Sequence, residues 1–184
     1  MIYPIIAYGH QVLKKKAVDV TQDVEVKQLV SDMFETMYNA NGVGLAAPQI
    51  GKSLRLFVID TNPIDDDDDE PKLKKAFINP IMMEEIGEEW AMEEGCLSIP
   101  TIREDVIRKE KIKIKYLDED FNEYTEEFEG FTARVIQHEY DHIEGILFTD
   151  HISNLKKRLL KGKLTNISKG KVKADYKMAF PLLK

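Results

Sequence analysis

The sequence of 184 residues contains a single cysteine. One cysteine cannot form an intramolecular disulfide, which excludes a disulfide-stabilised secreted scaffold and predicts a protein of the reducing cytoplasm. No apolar run reaches the roughly 18–20 residues that a helix needs to span a bilayer, so a membrane partner is not expected. The first ten residues, MIYPIIAYGH, have neither a basic start nor a small-residue cleavage site, and we read no signal peptide there.

Basic residues are scarce in most of the chain and concentrated at its end. The net charge is −7, but residues 154–184 alone carry a balance of +9, which leaves −16 for residues 1–153. A basic end on an acidic body suggests an anionic partner such as nucleic acid. The alternative is a solvated helix followed by a frayed terminus, and the sequence leaves this choice open.

Helical periodicity appears in three places. Residues 19–40 have the spacing of a helix packed on a core, with Asp23 as a candidate N-cap and apolar residues at Val26, Leu29, Val30, Met33, Phe34 and Met37. A second helix is expected over residues 130–145, ending at Gly145, and a short basic one over residues 154–160.

Strand signals occupy residues 54–60, 76–86, 106–117 and 124–128, while the acidic run 65–70 reads as a solvated loop. Together these patterns predict an α+β fold with mixed or antiparallel strands packed around one central helix. An N-terminal helix and a short C-terminal helix would complete it.

The central helix carries the stretch QHEYDH. Residues four apart lie on one helical face, so His138 and His142 can point at one metal ion, with Ala133 and Val135 packed inward nearby. Glu139 lies close enough to act on a water that such an ion activates. A pair of structural histidines beside a helical acid is the alternative, and this motif alone leaves the choice open.

The identity of the third ligand distinguishes the possible classes of metalloprotein. Residues 157–169 contain no acid, so the downstream glutamate of thermolysin-type peptidases is missing. In the longer metzincin pattern the last histidine would fall on Phe148, and His151 reads as a surface residue. Upstream, Cys96 in EGCLS could supply a thiolate and complete a Cys-His-His set with one open position. A small buried hydrophobe is the other reading of this cysteine.

A third stretch, GVGLAAPQ at residues 42–49, has little side-chain bulk. Such a backbone suits an extended ligand lying alongside, and the Gln49 amide can donate to a developing oxyanion. A helix end followed by a small-residue turn is the alternative.

The three stretches in this order resemble the motifs of the peptide deformylase family: Gly-x-Gly-x-Ala-Ala-x-Gln, Glu-Gly-Cys-x-Ser and His-Glu-x-x-His. The resemblance extends over residues 1–155, a single catalytic domain, and leaves residues 156–184 as a basic helix or tail. It implies hydrolytic removal of the formyl group from the formyl-methionine of nascent chains.

The resemblance also implies residue roles. Cys96, His138 and His142 would bind one divalent metal, Fe²⁺ first, with Zn²⁺, Ni²⁺ or Co²⁺ as substitutes. Glu139 would be the general base, and Gln49 with the backbone N–H of Leu97 would hold the oxyanion.

Substrate would add as a strand beside Val43 and Gly44. We expect the methionine pocket among Val43, Met92, Phe131 and Val135, with Arg134 at its rim. Glu94 would pair with Arg108, or alternatively Arg103, behind the metal ligands.

Two other functions remain open from the sequence: a general metallopeptidase and a metal-stabilised binding module without activity. The basic tail is a candidate contact for ribosomal RNA, and we expect no DNA partner.

Overall fold

The computed structural model describes residues 1–22, 24–63 and 72–182. The first helix, α1, covers Val26–Asn39 and buries the predicted apolar face, including Leu29, Met33 and Met37. It begins later than residue 19 because the preceding backbone bonds elsewhere: Val18 N–H donates to Ser53 and Val20 N–H to the Asn79 side chain. The predicted N-cap, Asp23, lies outside the described residues.

The α+β fold class is confirmed. Within the described ranges, β1 (Ile5–Ile6) pairs in parallel with β7 (Met178–Ala179). The larger sheet is antiparallel and contains β2 (Gly44–Ala46), β3 (Leu56–Asp60), β4 (Lys74–Cys96), β5 (Ile99–Leu117) and β6 (Glu123–Glu129), side by side in that order. The predicted strands therefore exist, and the acidic run 65–70 lies outside the described residues.

Strand β4 continues ten residues beyond the predicted end at residue 86 and reaches Cys96. Its second half is acidic and mostly exposed, so it shows no alternation of apolar and polar residues. It is paired with β5 along its length, and at two positions an acid of β4 lies opposite a lysine: Glu84 opposite Lys113 and Glu89 opposite Lys109. Such cross-strand pairs are visible only once the register is known.

The central helix, α2, covers Gly130–Glu144 as predicted. Ala133, Ile136 and Ile143 are fully buried against apolar side chains of the sheet, including Phe57 and Ile112. Gly145 ends the helix with φ of 77°, and a Cβ there would come within 2.9 Å of the main chain of residue 14. A glycine is therefore required both by conformation and by space.

The chain ends with α3 (Phe148–His151), α4 (Asn154–Ser168) and β7. Helix α4 runs eight residues past the predicted end at 160 because Leu160, Leu164 and Ile167, one turn apart, are all buried in the core. The predicted boundary between a catalytic domain, residues 1–155, and a basic tail falls inside this helix, and this division of the chain stays a prediction. None of the helices in the described ranges is long and apolar enough to cross a membrane.

Candidate active site

The structure brings the three predicted ligand residues together. Cys96 ends β4, whereas His138 and His142 lie one turn apart on α2, and their ligand atoms all fall within 4.8 Å of one another. Cys96 Sγ is 3.3 Å from His142 Nε2. Metal–sulfur and metal–nitrogen bonds of about 2.3 and 2.0–2.1 Å at a tetrahedral angle place those atoms roughly 3.5 Å apart. The three side chains thus fit one divalent cation.

Behind the histidines lies a buried charge cluster centred on Glu94. His138 Nδ1 donates to Glu94 Oε2 at 2.9 Å, which leaves Nε2 of that ring for the ligand site. Arg108 donates two hydrogen bonds to the same carboxylate, at 2.7 and 3.1 Å, and also contacts Asp141 at 2.8 Å. Burial would raise the pKa of Glu94, but the hydrogen bonds from His138 and Arg108 outweigh it and lower this pKa.

The expected position of Arg134 at the rim is wrong. Its side chain is buried, and its guanidinium donates to Glu94 at 3.0 Å and to the carbonyl groups of Val106 and Trp90 at 2.9 and 2.8 Å. It can be buried because Glu94 supplies the opposite charge. The predicted alternative partner of Glu94, Arg103, is instead 3.6 Å from Glu93 on the exposed side of the sheet.

The Cys96 thiol is in a setting that favours the thiolate. Burial alone would raise its pKa, but the nearby His142 and His138 rings lower the pKa of Cys96 to about 5. A thiolate and two imidazole nitrogens form a donor set that suits Zn²⁺ or Fe²⁺. The remaining histidine of this region, His151, is exposed and bonds to Asp141 at 2.8 Å, as a surface residue would.

Glu139 lies against the backbone of β2. A Cβ built on Gly44 would stand 2.8 Å from both Cγ and Cδ of Glu139, so only glycine leaves room for this carboxylate. Glu139 Oε2 is buried without a hydrogen-bond partner among the described residues, and burial raises the pKa of Glu139 to about 7. A buried carboxyl that keeps one oxygen free is suited to exchanging a proton with a ligand.

Gln49 is held in place by the chain itself. Its Oε1 accepts a hydrogen bond from Ala46 N–H at 2.8 Å, and its Nε2 lies 3.5 Å from Cys96 Sγ and 3.4 Å from Ser98 Oγ. The donor end of the amide therefore points at the cysteine. Leu97 follows directly in the turn between β4 and β5.

These groups open into a cavity of about 880 Å³. Its walls include every residue predicted for substrate binding, namely Val43, Gly44, Met92, Phe131, Arg134 and Val135. They also include Lys173, Ala174, Asp175 and Tyr176, which no sequence motif marked.

Comparison with known proteins identifies the family. A family model described as polypeptide deformylase matches residues 2–158. A peptide deformylase of Cytophaga hutchinsonii is 60% identical over 185 residues that cover all of both chains. The chain belongs to the peptide deformylase family. The motif-based recognition is thereby confirmed.

Solved peptide deformylases share the fold. The crystal structure of the enzyme from Legionella pneumophila superposes with a TM-score of 0.81 at 40% identity, covering 93% of this chain and 98% of the other. The enzyme from Thermus thermophilus gives a TM-score of 0.80 at 39% identity, with 90% and 97% covered. The family relation extends over nearly the whole chain, including most of the segment that the sequence alone treated as a tail.

Two parts of the site were missed by sequence reasoning. Asp141, inside QHEYDH, contacts Arg108 and so joins the charge cluster, which its place in the motif could have suggested. The segment 173–176 carries no motif. It reaches the cavity because it lies between α4 and β7, and β7 pairs with β1.

Proposed function

We propose that the protein hydrolyses the formyl group from the N-terminal formyl-methionine of newly made polypeptides. The observation that carries the proposal is the convergence of Cys96, His138 and His142 beside a cavity lined by Cys96, His138 and Glu139. Oε2 of Glu139 is buried there without a hydrogen-bond partner among the described residues. Membership of the peptide deformylase family supports this substrate. Since nascent chains are made in the cytoplasm, the cytoplasmic location expected from the sequence agrees with it.

Cys96, His138 and His142 would hold one divalent metal, for which Fe²⁺ is our first choice and Zn²⁺, Ni²⁺ or Co²⁺ are substitutes. When bound, the cation supplies a Lewis acid that lowers the pKa of water and polarises the formyl carbonyl. The protein's own part is the orientation of His138 by Glu94, at 2.9 Å, and the stabilisation of the Cys96 thiolate.

Glu139 is the proposed general base. Its carboxylate takes a proton from the attacking water, whose oxygen forms the new bond to the formyl carbon. The same carboxyl then delivers that proton to the methionine nitrogen as the carbon–nitrogen bond breaks, which gives a free amine and formic acid. The acid loses its proton to solvent at neutral pH and leaves as formate. A carboxyl with a pKa near 7 suits both transfers at neutral pH.

The negative charge that develops on the formyl oxygen needs donors. Gln49 Nε2 and the Leu97 N–H are proposed for this role, because both belong to groups beside Cys96. Gln49 is already oriented by its bond from Ala46 N–H, so little reorganisation would accompany the reaction.

The substrate backbone is proposed to pair with the free edge of β2. This strand bonds to β3 on one side and is the end strand of the sheet as described. Pairing through main-chain groups depends little on the side chains of the substrate, which suits an enzyme that must accept many different polypeptides. The methionine side chain would enter the apolar wall formed by Val43, Met92, Phe131 and Val135.

Formate release distinguishes the candidate activities. Metal-loaded protein should release formate from formyl-Met-Ala-Ser and cleave neither the unformylated peptide nor casein. Cleavage of casein would indicate a general metallopeptidase, and no turnover at all by the loaded protein would indicate a binding module.

The Glu139→Gln variant tests the general base. It preserves shape and removes the proton acceptor, so kcat should fall by about 10²- to 10⁴-fold with metal content unchanged. Asp150→Asn is a matched carboxylate control, since this side chain pairs with Lys14 away from the cavity. A Glu139→Gln enzyme with near-normal kcat would reject the assigned base.

Ribosome contact through the basic end is proposed separately. The exposed side of α4 carries Arg158, Lys161 and Lys163. Deleting the helix would also remove buried Leu160 and Leu164 from the core, so replacing the three bases by glutamate is the sharper test. Cosedimentation with ribosomes that survives this replacement would remove the idea.

A further inference from the structure

The end of the chain returns to the active site. After α4, residues 173–176 form part of the cavity wall that also contains Cys96 and His138. This segment lies beyond residues 2–158, the part of the chain that the family model describes. None of the three sequence motifs includes it, although a peptide deformylase matches this chain over its full length.

Tyr176 makes a direct bond to the turn that carries the proposed oxyanion donor. Its hydroxyl donates to the carbonyl oxygen of Leu97 at 2.8 Å. Both Tyr176 and Leu97 pack, partly buried, against the same apolar cluster, which includes Leu45 and Met37. The ring and the hydroxyl of Tyr176 thus hold the residue that follows the Cys96 ligand.

The segment around Tyr176 is anchored on the body of the protein. Directly after it, β7 pairs with β1, and Ile5 and Ala7 donate their N–H groups to the carbonyls of Lys177 and Ala179, both at 2.9 Å. The next carbonyl of the turn is held from the other end of the chain, because Tyr8 N–H donates to Ser98 at 2.9 Å.

The two bonds fix consecutive carbonyls of the turn. A peptide carbonyl that accepts a hydrogen bond from a fixed donor limits rotation of the backbone on either side of it. The Leu97 N–H lies on one side of this restrained unit, and Ser98, whose hydroxyl faces Gln49 at 3.4 Å, lies on the other. Mobility in the turn would therefore disturb both proposed oxyanion donors.

We propose that Tyr176 is a positioning residue for the deformylation reaction, whose hydroxyl holds the Leu97–Ser98 turn so that the Leu97 N–H faces the developing oxyanion. The inference rests on the proposed function. It does not place Tyr176 in contact with the reacting atoms.

Tyr176→Phe is the direct test, because it removes the hydroxyl and keeps the ring. Tyr38→Phe is the matched control, since the Tyr38 hydroxyl is also hydrogen-bonded, to Asp60, but the side chain does not line the cavity. With formyl-Met-Ala-Ser, Tyr176→Phe should lower kcat about 3- to 10-fold, the effect of one neutral hydrogen bond. KM should stay within twofold, because an oxyanion donor acts on the transition state.

Backbone dynamics give a second readout that needs no turnover. In Zn²⁺-loaded, ¹⁵N-labelled protein, the amide order parameters of Leu97 and Ser98 should fall from the rigid value of about 0.85 in Tyr176→Phe and remain unchanged in Tyr38→Phe. A melting temperature within a few degrees of the wild type would show that the variant is folded.

The outcomes are separable. A kcat within twofold of wild type, a change confined to KM, or unchanged order parameters at Leu97 and Ser98 would each overturn the role of Tyr176. If the wild-type protein itself releases no formate, the proposed function fails, and the order parameters still decide whether Tyr176 holds the turn.

Discussion

Gly44→Ala is the substitution whose effect on catalysis can be worked out most directly from the structure. The added Cβ would stand 2.8 Å from Cγ and Cδ of Glu139, where ordinary contacts begin at about 3.4 Å. Helix α2 is packed in the core on its other side, so the Glu139 side chain has to give way rather than its backbone. The carboxylate must therefore move by at least about 0.6 Å.

A displacement of this size exceeds the tolerance of about 0.5 Å within which catalytic groups must be held. Since a misplacement of 1 Å can cost about 100-fold, we expect kcat/KM for formyl-Met-Ala-Ser to fall about 10- to 100-fold in Gly44→Ala. Metal content after dialysis should match the wild type, because the atoms nearest to the new methyl group belong to Glu139 and not to a ligand residue.

Gly162→Ala is the matched control. A Cβ at Gly162, within α4, meets nothing within 4 Å. Its activity should equal that of the wild type, and helix propensity should raise the free energy of unfolding by up to about 1 kcal/mol. A Gly44→Ala enzyme within threefold of wild-type kcat/KM would refute the claim that the β2 backbone sets the position of Glu139.

Three further substitutions test the surroundings of the site. Glu94→Gln removes the negative charge shared by two buried guanidinium groups. Metal titration should show an affinity lower by about 10- to 100-fold, and denaturation a free energy of unfolding lower by about 3 kcal/mol. An unchanged affinity would count against the role of Glu94 in orienting His138. Cys96→Ser should lose most of its bound metal on dialysis, and full metal content would argue against a thiolate ligand. At Gly145 the backbone φ is 77°, and an added Cβ would come within 2.9 Å of main-chain atoms, so Gly145→Ala should lower the melting temperature by several degrees. A variant as stable as the wild type would contradict the packing at this helix end.

The central part of the fold could be predicted because its patterns are local. The buried stripe of α1 and the extent of α2 follow from helical periodicity, and Gly145 marks the end of α2 by the same logic. The ligand residues could be proposed because His138 and His142 share a helical face and the Cys96 motif stands in the expected order.

The remainder depends on contacts between distant parts of the chain. The acidic half of β4 shows no strand pattern, since its side chains are mostly exposed and its strand conformation follows from backbone pairing with β5. Arg134 was expected at the rim of the methionine pocket, and only its convergence with Glu94, forty residues away in sequence, makes its burial possible. Tyr176 reaches Leu97 because β7 pairs with β1, a parallel contact between the two ends of the chain that no local signal announces.

Metal-edge X-ray absorption on the loaded protein tests most directly whether Cys96, His138 and His142 hold one ion. We expect one sulfur at about 2.3 Å and two imidazole nitrogens at about 2.0–2.1 Å for Zn²⁺, with the sulfur contribution lost in Cys96→Ser. A first coordination sphere without sulfur in the wild-type protein would contradict this assignment.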